Sequence, residues 1–246
     1  MKRKLRQLFA VARIATTPGG LGALLRWKPF SITAYKMAHA LKAQGLTFRT
    51  IIDCGANKGQ FARAATECFP HASVFSFEPL PDAAKAFRRN LGKREQVRLI
   101  QMALGSEDEP ITFYPNQYSL ASSALPMHDN QRIAFPKLTE LPPIQVQAGR
   151  LDTLLADLIR KGPTLLKLDL QGFELEALRG ATEILDKIDF ILLEVSFKEM
   201  YQGEPLFNEV RQFLNEAGFH FLRPVETLAD HRGEIVQMDA LFARKP

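Results

Sequence analysis

The sequence predicts a Rossmann-like, doubly wound α/β fold, in which helices cover both faces of a mostly parallel, seven-stranded sheet. One observation is that strand-like apolar runs alternate with amphipathic, helix-like segments from residue 50 onward. Another is the continuously apolar run 190–193, which is typical of a strand buried on both faces. A length of 246 residues suits one domain with a sizeable core.

Each expected element has its own local signature. Strands are short runs of aliphatic, β-branched or aromatic residues bounded by turn residues, and they are expected at 50–54, 73–77, 97–102, 164–169, 188–195 and 218–223, with a last one near 235–243. Helices repeat apolar residues at helical spacing, and they are expected at 33–44, 58–69, 81–91, 151–161, 173–186 and 205–217. Crossovers between parallel strands should be right-handed.

The alternation fails between residues 106 and 149, where Pro, Ser, Asn and Gln are frequent. Residues 111–114 and 144–147 could form extended strands at the two ends of a long loop. Long loops inside compact domains are commonly functional, so this segment is predicted to be an insertion that covers a site. Its polar candidates are Tyr118, Ser122, Ser123 and His128.

The net charge of +5 is unevenly distributed along the chain. Residues 1–49 contain ten Lys or Arg and no Asp or Glu, whereas the remainder carries 22 basic and 27 acidic residues. An apolar content of 46% and a charged content of 24% are those of a soluble globular protein. The main domain is therefore mildly acidic, and nucleic acid is not expected as a partner.

Residues 1–48 are expected to form a basic, helical N-terminal segment, and residues 49–246 the main domain. Apolar side chains share one helical face of this segment, namely Leu5, Leu8, Phe9 and Ala12. The apolar stretch is too short to span a membrane, but residues 1–30 could lie on an anionic membrane surface as an amphipathic basic helix. The alternative is a helix packed on the domain with its charges in water.

The two cysteines, Cys54 and Cys68, make neither a disulfide framework nor a zinc-binding pattern. A reduced, cytoplasmic location is therefore expected, with peripheral contact at a membrane as the variant that the basic segment allows.

The most informative stretch runs from Asp53 to Phe61, where an apolar strand ends in an acid and a turn of small residues leads into a helix. A second acid, Glu78, closes the next apolar run. This order suits a nucleoside, because glycines let the backbone approach the ligand and the second acid can accept hydrogen bonds from ribose. Asn57 stands where a dinucleotide site needs its second glycine, which disfavours a pyrophosphate. An ordinary strand-to-helix turn is the alternative.

Two more acids, Asp169 and Glu194, close predicted strands later in the chain. In open α/β sheets, ligands bind outside the carboxyl ends of the strands, so these acids would share one rim with Asp53 and Glu78. Glu174 begins the helix after Asp169, where an acid is also favoured by the helix dipole alone. Asp169 could likewise serve only as a cap for that helix.

Together these motifs resemble the FkbM family of S-adenosylmethionine-dependent methyltransferases. The resemblance covers residues 50–222 and is carried by Asp53–Phe61, Phe77–Pro79, Ala103–Gly105, Leu151–Leu154, Lys167–Glu174, Leu178–Ala181 and Glu194. It implies a class I methyltransferase fold with an antiparallel last strand. One residue departs from the pattern, because Gln171 stands where such families usually carry Glu.

The resemblance implies S-adenosyl-L-methionine as the cofactor and O-methylation of a sugar, glycan or small natural product. The glycine turn would hold the methionine part of the cofactor, Glu78 its ribose hydroxyls, and Met102 with Ala103 its adenine. The implied cofactor-binding residues are Asp53, Gly55, Ala56, Asn57, Gly59, Phe61, Glu78, Pro79, Met102, Ala103 and Asp169.

Asp169 would face the transferred methyl group and the acceptor, and Glu194 and Glu174 are the other catalytic candidates. No metal is expected, because Gln171 interrupts the acids that could bind a divalent cation. Two other functions stay open from the residues alone. A nicotinamide-dependent oxidoreductase would share the fold, and a catalytically silent scaffold would bind the cofactor without transferring its methyl group.

Overall fold

The computed structural model describes residues 9, 11–17, 19–159, 161–230 and 232–245. Part of the predicted basic helix, residues 1–8, lies outside the described residues. The strands are β1 Thr50–Cys54, β2 Ser73–Phe77, β3 Val97–Ile100, β4 Ala103–Leu104, β5 Ile111–Phe113, β6 Ile144–Val146, β7 Ala148–Gly149, β8 Thr164–Leu168, β9 Phe190–Ser196, β10 Phe219–Ala229 and β11 Ile235–Arg244.

Seven of these strands form the main sheet, in the order β10-β11-β9-β8-β1-β2-β3. The pairs β1–β2, β2–β3, β1–β8 and β8–β9 are parallel. Strand β11 is antiparallel to both of its neighbours, β9 and β10. The predicted doubly wound, mostly parallel sheet with an antiparallel last strand is thus confirmed. The strand order reverses beside β1, where such sheets bind their ligands.

Helices cover both faces of the sheet. They are α1 Gly20–Arg26, α2 Ile32–Ala43, α3 Gln60–Cys68, α4 Pro81–Leu91, α5 Asp129–Ala134, α6 Leu151–Leu155, α7 Glu174–Arg179 and α8 Phe207–Glu216. One buried cluster joins β1 and β8 to α6, α7 and α8. A second cluster, on the opposite face, joins the sheet to α2, α3 and α4. Both faces of the central strands are therefore withdrawn from water, as their continuous apolar runs predict.

The segment 106–149 contacts the loops that follow β1, β8 and β9. Its ends are tied by the antiparallel pair β5–β6 and by the parallel pair β4–β7. The extended strands expected at the ends of the long loop are thus present, and they pair with one another. Between them lie a short 3-10 turn, Ser119–Ala121, and helix α5.

The N-terminal helices pack against one another through a small apolar cluster of their own. Ile14, Ala23 and Tyr35 are buried there, and Trp27 and Phe30 pack around them. Helix α2 continues into the main core, where Leu41 is fully buried. Among the described residues, every helix is too short or too polar to cross a membrane.

Several predicted boundaries differ from the structure for identifiable reasons. The helix expected at 58–69 begins at Gln60, because Asn57 and Gly59 have positive φ angles of 48° and 91°. The helix expected at 173–186 ends at Arg179. Gly180 follows it and lies so close to the Gly105 carbonyl that a Cβ atom would approach that oxygen to 2.0 Å. A tertiary contact therefore ends a helix that local spacing would continue.

Candidate functional site

Two cavities lie at the carboxyl ends of the parallel strands, on either side of the turn after β1. The first, about 580 Å³ including space open to solvent, extends toward β2 and the 106–149 segment. The second, about 770 Å³ on the same measure, extends toward helix α2. Residues that line both cavities mark their junction, namely Gly55, Asn57, Leu120, Asp169 and Gln171. A ligand in one cavity can thus meet a ligand in the other at Asp169.

The turn after β1 brings the backbone to this junction. Gly55 has a φ of 79°, and a Cβ atom there would lie 1.9 Å from the Asp169 carbonyl oxygen. Asn57 is also left-handed, and its backbone N–H donates to Glu78 Oε2 at 2.9 Å. Its Oδ1 accepts from Ser119 Oγ of the 106–149 segment at 3.3 Å. The turn therefore connects strand β1 with strand β2 and with the 106–149 segment.

Glu78, the residue after β2, lines the first cavity with a carboxylate that is 4% exposed. Its second oxygen accepts from the Leu80 N–H at 2.9 Å. Burial raises the pKa of Glu78 to about 7, although the amide hydrogen bonds from Leu80 and Asn57 oppose this shift. Each oxygen accepts a single amide hydrogen and keeps a further lone pair for a ligand hydroxyl.

Apolar side chains line the rest of the first cavity. Pro79, Met102 and Ala103, which the sequence predicts for this site, lie in its wall. Other apolar residues of the lining were missed by sequence reasoning, among them Leu80, Ile111, Phe113, Leu120 and Phe173. The signal for Phe113 was its place in an expected strand, but nothing local shows which way that strand faces.

Asp169 follows β8 and lies over a buried ion-pair cluster. Lys167 Nζ is 3.2 Å from Asp53 Oδ1 and 3.5 Å from Asp169 Oδ2. Burial would lower the pKa of Lys167, but the Asp53 and Asp169 charges outweigh it and raise that pKa above its usual range. Lys167 therefore stays protonated beneath Asp169. Asp53 itself is fully buried and faces this lysine.

Glu194 lies inside β9, two residues before the end of the strand, and it lines the second cavity. Its Oε2 accepts hydrogen bonds from Gln171 Nε2 at 2.8 Å and from Gln237 Nε2 at 3.1 Å. Burial raises the pKa of Glu194 well above its usual range, and the charges of Asp169 and Asp239 raise it further. Gln171 therefore links Glu194 to Asp169, because its Nε2 donates a hydrogen bond to each of them.

Of the remaining predicted site residues, some line a cavity and others only support the structure around it. Ala56 and Phe61 line the second cavity. Gly59 is the N-cap of α3 and packs against Leu91 and Phe87 of α4. Glu174 is buried and holds the loop before α7, because its oxygens accept from the N–H groups of Leu170 and Gly172. As far as the described residues define the cavities, Gly59, Glu174 and Asp53 lie outside their lining.

The polar candidates of the 106–149 segment lie in different places. Ser122 lines the first cavity and Tyr118 the second. Ser123 donates to the Gln171 carbonyl at 2.7 Å. His128 caps helix α5, where its Nδ1 accepts from the Asn130 N–H at 3.1 Å.

Helix α2 supplies a wall of the second cavity that the sequence did not suggest. Ser31, Thr33, Ala34 and Met37 face this cavity. No motif links these residues to the strand ends, and only tertiary packing brings them there. Across the described residues, no three His, Cys, Asp or Glu side chains come together in an arrangement that could hold a metal ion.

The mostly parallel, seven-stranded sheet with an antiparallel last strand is that of the class I methyltransferases. The family model described as the methyltransferase FkbM domain matches residues 53–221. The chain therefore belongs to the FkbM methyltransferase family, and it is a methyltransferase.

Similar proteins are spread over several lineages. The 2-O-methyltransferase NoeI of Sinorhizobium fredii is 31% identical over 179 residues, which are 66% of this chain and 74% of that protein. The hexuronic acid methyltransferase AglP of Haloferax volcanii is 27% identical over 145 residues, or 58% of this chain and 54% of that protein. The crystal structure of magnesium protoporphyrin IX methyltransferase from Synechocystis, with bound SAM, has a TM-score of 0.47 and 11% identity; the match covers 97% and 91% of the two chains.

Proposed function

We propose that this methyltransferase uses S-adenosyl-L-methionine to methylate a hydroxyl group of a sugar, glycan or small natural product. The observation that carries the proposal is the meeting of two cavities at Asp169, one suited to a nucleoside and the other lined by polar side chains. When bound, the cofactor supplies a sulfonium methyl group whose leaving group is already in place. The protein must chiefly align the acceptor, and such alignment is worth about 7–11 kcal/mol.

The residues of the first cavity fit this cofactor. Glu78 has lone pairs left for the two ribose hydroxyls after its bonds to backbone amides. The apolar lining beyond it, which includes Leu80, Met102 and Phe113, suits the faces of adenine. Gly55 and Asn57 line both cavities at the junction, and there they can contact the methionine part of the cofactor.

Asp169 is the proposed catalytic residue. It lines both cavities, and the protonated Lys167 below holds one of its oxygens. From this position it can orient the acceptor hydroxyl and take its proton, a contribution of about 10²–10⁴-fold for a general base. Glu194 supports the same region of the second cavity, whereas Glu174 keeps the loop before α7 in place.

The acceptor class is inferred from the second cavity and from the relatives. Hydroxyl and amide side chains are frequent in its wall, among them Ser31, Thr33, Gln60 and Tyr118. Such groups match the hydroxyls of a sugar. Two relatives are named for 2-O-methylation and for methylation of a hexuronic acid. A glycan acceptor agrees with both observations.

Replacement of Asp169 by Asn tests the proposal. With radiolabelled S-adenosyl-L-methionine and a panel of sugar acceptors, we expect turnover to fall by about 10²-fold or more. Calorimetric affinity for S-adenosylhomocysteine should stay near that of the wild type, because the backbone at 169 is unchanged. Asp186→Asn, at an exposed position, is the matched control. Wild-type turnover in Asp169→Asn would refute the catalytic role, and cofactor binding without transfer to any acceptor would indicate a silent scaffold.

We also propose a cytoplasmic protein that contacts an anionic membrane surface through residues 1–30. The thiols of Cys54 and Cys68 are free and buried, which agrees with a reducing compartment. Phe9, Leu21 and Leu25 are 67%, 58% and 71% exposed, although they are large apolar side chains. They lie in a segment whose charged side chains are all Lys or Arg, and basic surfaces with exposed apolar side chains bind anionic lipid.

Vesicle sedimentation tests this contact. The wild type should pellet with vesicles of phosphatidylcholine and phosphatidylglycerol but not with phosphatidylcholine alone. The pair Leu21→Glu and Leu25→Glu should abolish pelleting. Leu222→Glu with Leu228→Glu, at exposed positions of β10, should not. If the variant with Leu21→Glu and Leu25→Glu still pellets with the vesicles, the proposal is overturned. It is also overturned if light scattering shows that the wild type is a dimer and that this variant is a monomer, because the apolar side chains would then form a dimer interface.

A further inference from the structure

The side chain of Gln171 lies between the two acids at the junction of the cavities. Its Nε2 donates one hydrogen bond to Asp169 Oδ1 and one to Glu194 Oε2, each at 2.8 Å. Its Oε1 accepts from the hydroxyl of Tyr201, also at 2.8 Å. Because carboxyl oxygens accept hydrogen bonds from N–H groups, the amide nitrogen faces the two acids and the amide oxygen faces Tyr201. Both amide hydrogens are used in joining Asp169 to Glu194.

The surroundings hold Gln171 at both ends. Tyr201 is 1% exposed, and its hydroxyl accepts a further hydrogen bond from Gln131 Nε2 at 3.2 Å. The Gln171 carbonyl accepts from Ser123 Oγ, so the 106–149 segment also fixes the backbone. That backbone has a φ of 57°. Such a conformation in a residue other than glycine persists only where neighbours enforce it, and it is concentrated at functional sites.

We propose that Gln171 is a positioning residue whose amide joins Asp169 to Glu194, so that the two carboxylates keep one arrangement without a cation between them. The inference rests on the proposed catalytic role of Asp169. Neighbouring carboxylates repel each other, and a donor that both share offsets this repulsion. Gln171 holds Asp169 Oδ1 while Lys167 holds Oδ2, so the plane of the carboxylate is fixed at the acceptor cavity.

Removal of the amide tests the positioning role. In Gln171→Ala we expect kcat to fall about tenfold or more, because Asp169 loses one of its two anchors. The KM for the acceptor and the calorimetric affinity for S-adenosylhomocysteine should change little. Tyr201→Phe keeps the amide but loosens it, so its kcat should fall less, with the same separation of kcat from KM. Gln212→Ala, on the exposed face of α8, should match the wild type in every measurement.

Replacement of the amide by a carboxylate tests the second half of the proposal. Gln171→Glu gathers three carboxylates at one point, and a divalent cation would relieve their repulsion. Titration with Mn²⁺ alone in a calorimeter should show saturable binding to this variant and none to the wild type. With a chelator present, the wild type should keep full turnover, whereas the variant should lose turnover and regain part of it with Mn²⁺.

The outcomes that overturn the proposal are distinct from failure of the proposed function. Wild-type kcat in Gln171→Ala, with only a lower melting temperature, would make Gln171 a structural residue. Turnover of the wild type that a chelator abolishes and Mn²⁺ restores would show that a cation joins the acids. The Mn²⁺ titration needs no acceptor, so its result stands even if the methyl acceptor proves to belong to another class.

Discussion

At the scale of single residues, Gly55 lets the residues after β1 approach the backbone after β8. A methyl group at this position would meet the Asp169 carbonyl, and the backbone is left-handed. We expect Gly55→Ala to cost about 2–4 kcal/mol of unfolding free energy, because steric overlap adds to backbone strain. It should also displace Asp169 and lower turnover. Urea unfolding and the methyl-transfer assay measure the two effects.

The variant Gly203→Ala separates the cost of a left-handed backbone from the cost of steric overlap. Gly203 is also left-handed, with a φ of 74°, but it has open space where a Cβ atom would be. This variant should lose only about 1 kcal/mol, which is the cost of the backbone conformation. Equal losses in the two variants would show that the close approach to Asp169 has no energetic weight.

Glu78 governs a second prediction, because its pKa of about 7 places its titration in the working range of the protein. The ionised carboxylate accepts charge-assisted hydrogen bonds at both oxygens, whereas protonation turns one oxygen into a donor and weakens the bonds that both accept. Affinity for S-adenosylhomocysteine should therefore weaken as the pH falls through 7. Glu78→Gln should bind about 10–100-fold more weakly, as expected for lost charged hydrogen bonds, and its affinity should vary less with pH. Calorimetry between pH 5.5 and 8.5 tests both statements, with Glu95→Gln as the exposed control.

The acids that sequence reasoning placed at the rim share one property: each lies at or near the end of a recognisable strand. Asp169 and Glu78 were predictable because the end of an apolar run marks the rim of a parallel sheet. Thr33 and Phe113 were not, since their part in the cavities depends on how distant segments pack. The ion pair of Lys167 with Asp53 was predictable only in part. The two residues lie on predicted strands, but no spacing in the chain shows that these strands are adjacent.

At the scale of elements, helix α2 gives the second cavity its outer wall. Thr33 is exposed and faces this cavity from the first turn of the helix. In Thr33→Phe the added ring should narrow the cavity, raising the KM for the acceptor about tenfold or more while cofactor affinity is retained. Steady-state kinetics and calorimetry distinguish the two quantities.

Ala43→Phe provides the comparison on the same helix. Ala43 is exposed at the C-terminal end of α2, away from the cavity. The Ala43→Phe variant should leave the KM for the acceptor unchanged. A loss of cofactor affinity in Thr33→Phe would contradict the assignment, because it would place the methionine part of the cofactor, rather than the acceptor, against α2.

Element types were predictable where local pattern and packing agree. The buried strands β1 and β8 occur where their apolar runs predict them. Helix α7 is shorter than expected because Gly180 must approach Gly105. Strands β5 and β6 were expected, but their pairing, like that of β4 with β7, joins residues more than thirty positions apart, and no local spacing reveals it.

At the scale of the whole molecule, buried carboxyl groups predict how stability depends on pH. Burial raises the pKa of Glu174 to about 8 and those of Glu204 and Asp239 to about 7. Glu78 is shifted in the same direction. The folded state thus holds these protons more tightly than the unfolded chain does. Burial lowers the pKa of His39, which acts in the opposite sense but concerns one group.

The sign of the effect follows from this difference. The stabilisation is fully present below the unfolded pKa values near 4, and it is lost as the pH rises through 7 to 8. The melting temperature of the cofactor-free protein should therefore fall between pH 5.5 and 8.5, by about 5 °C or more. Calorimetric scans test this, and Glu174→Gln should flatten the dependence while the exposed Glu95→Gln should not. A melting temperature that rises over the same range would show that these carboxyl groups are ionised in the folded state at little cost.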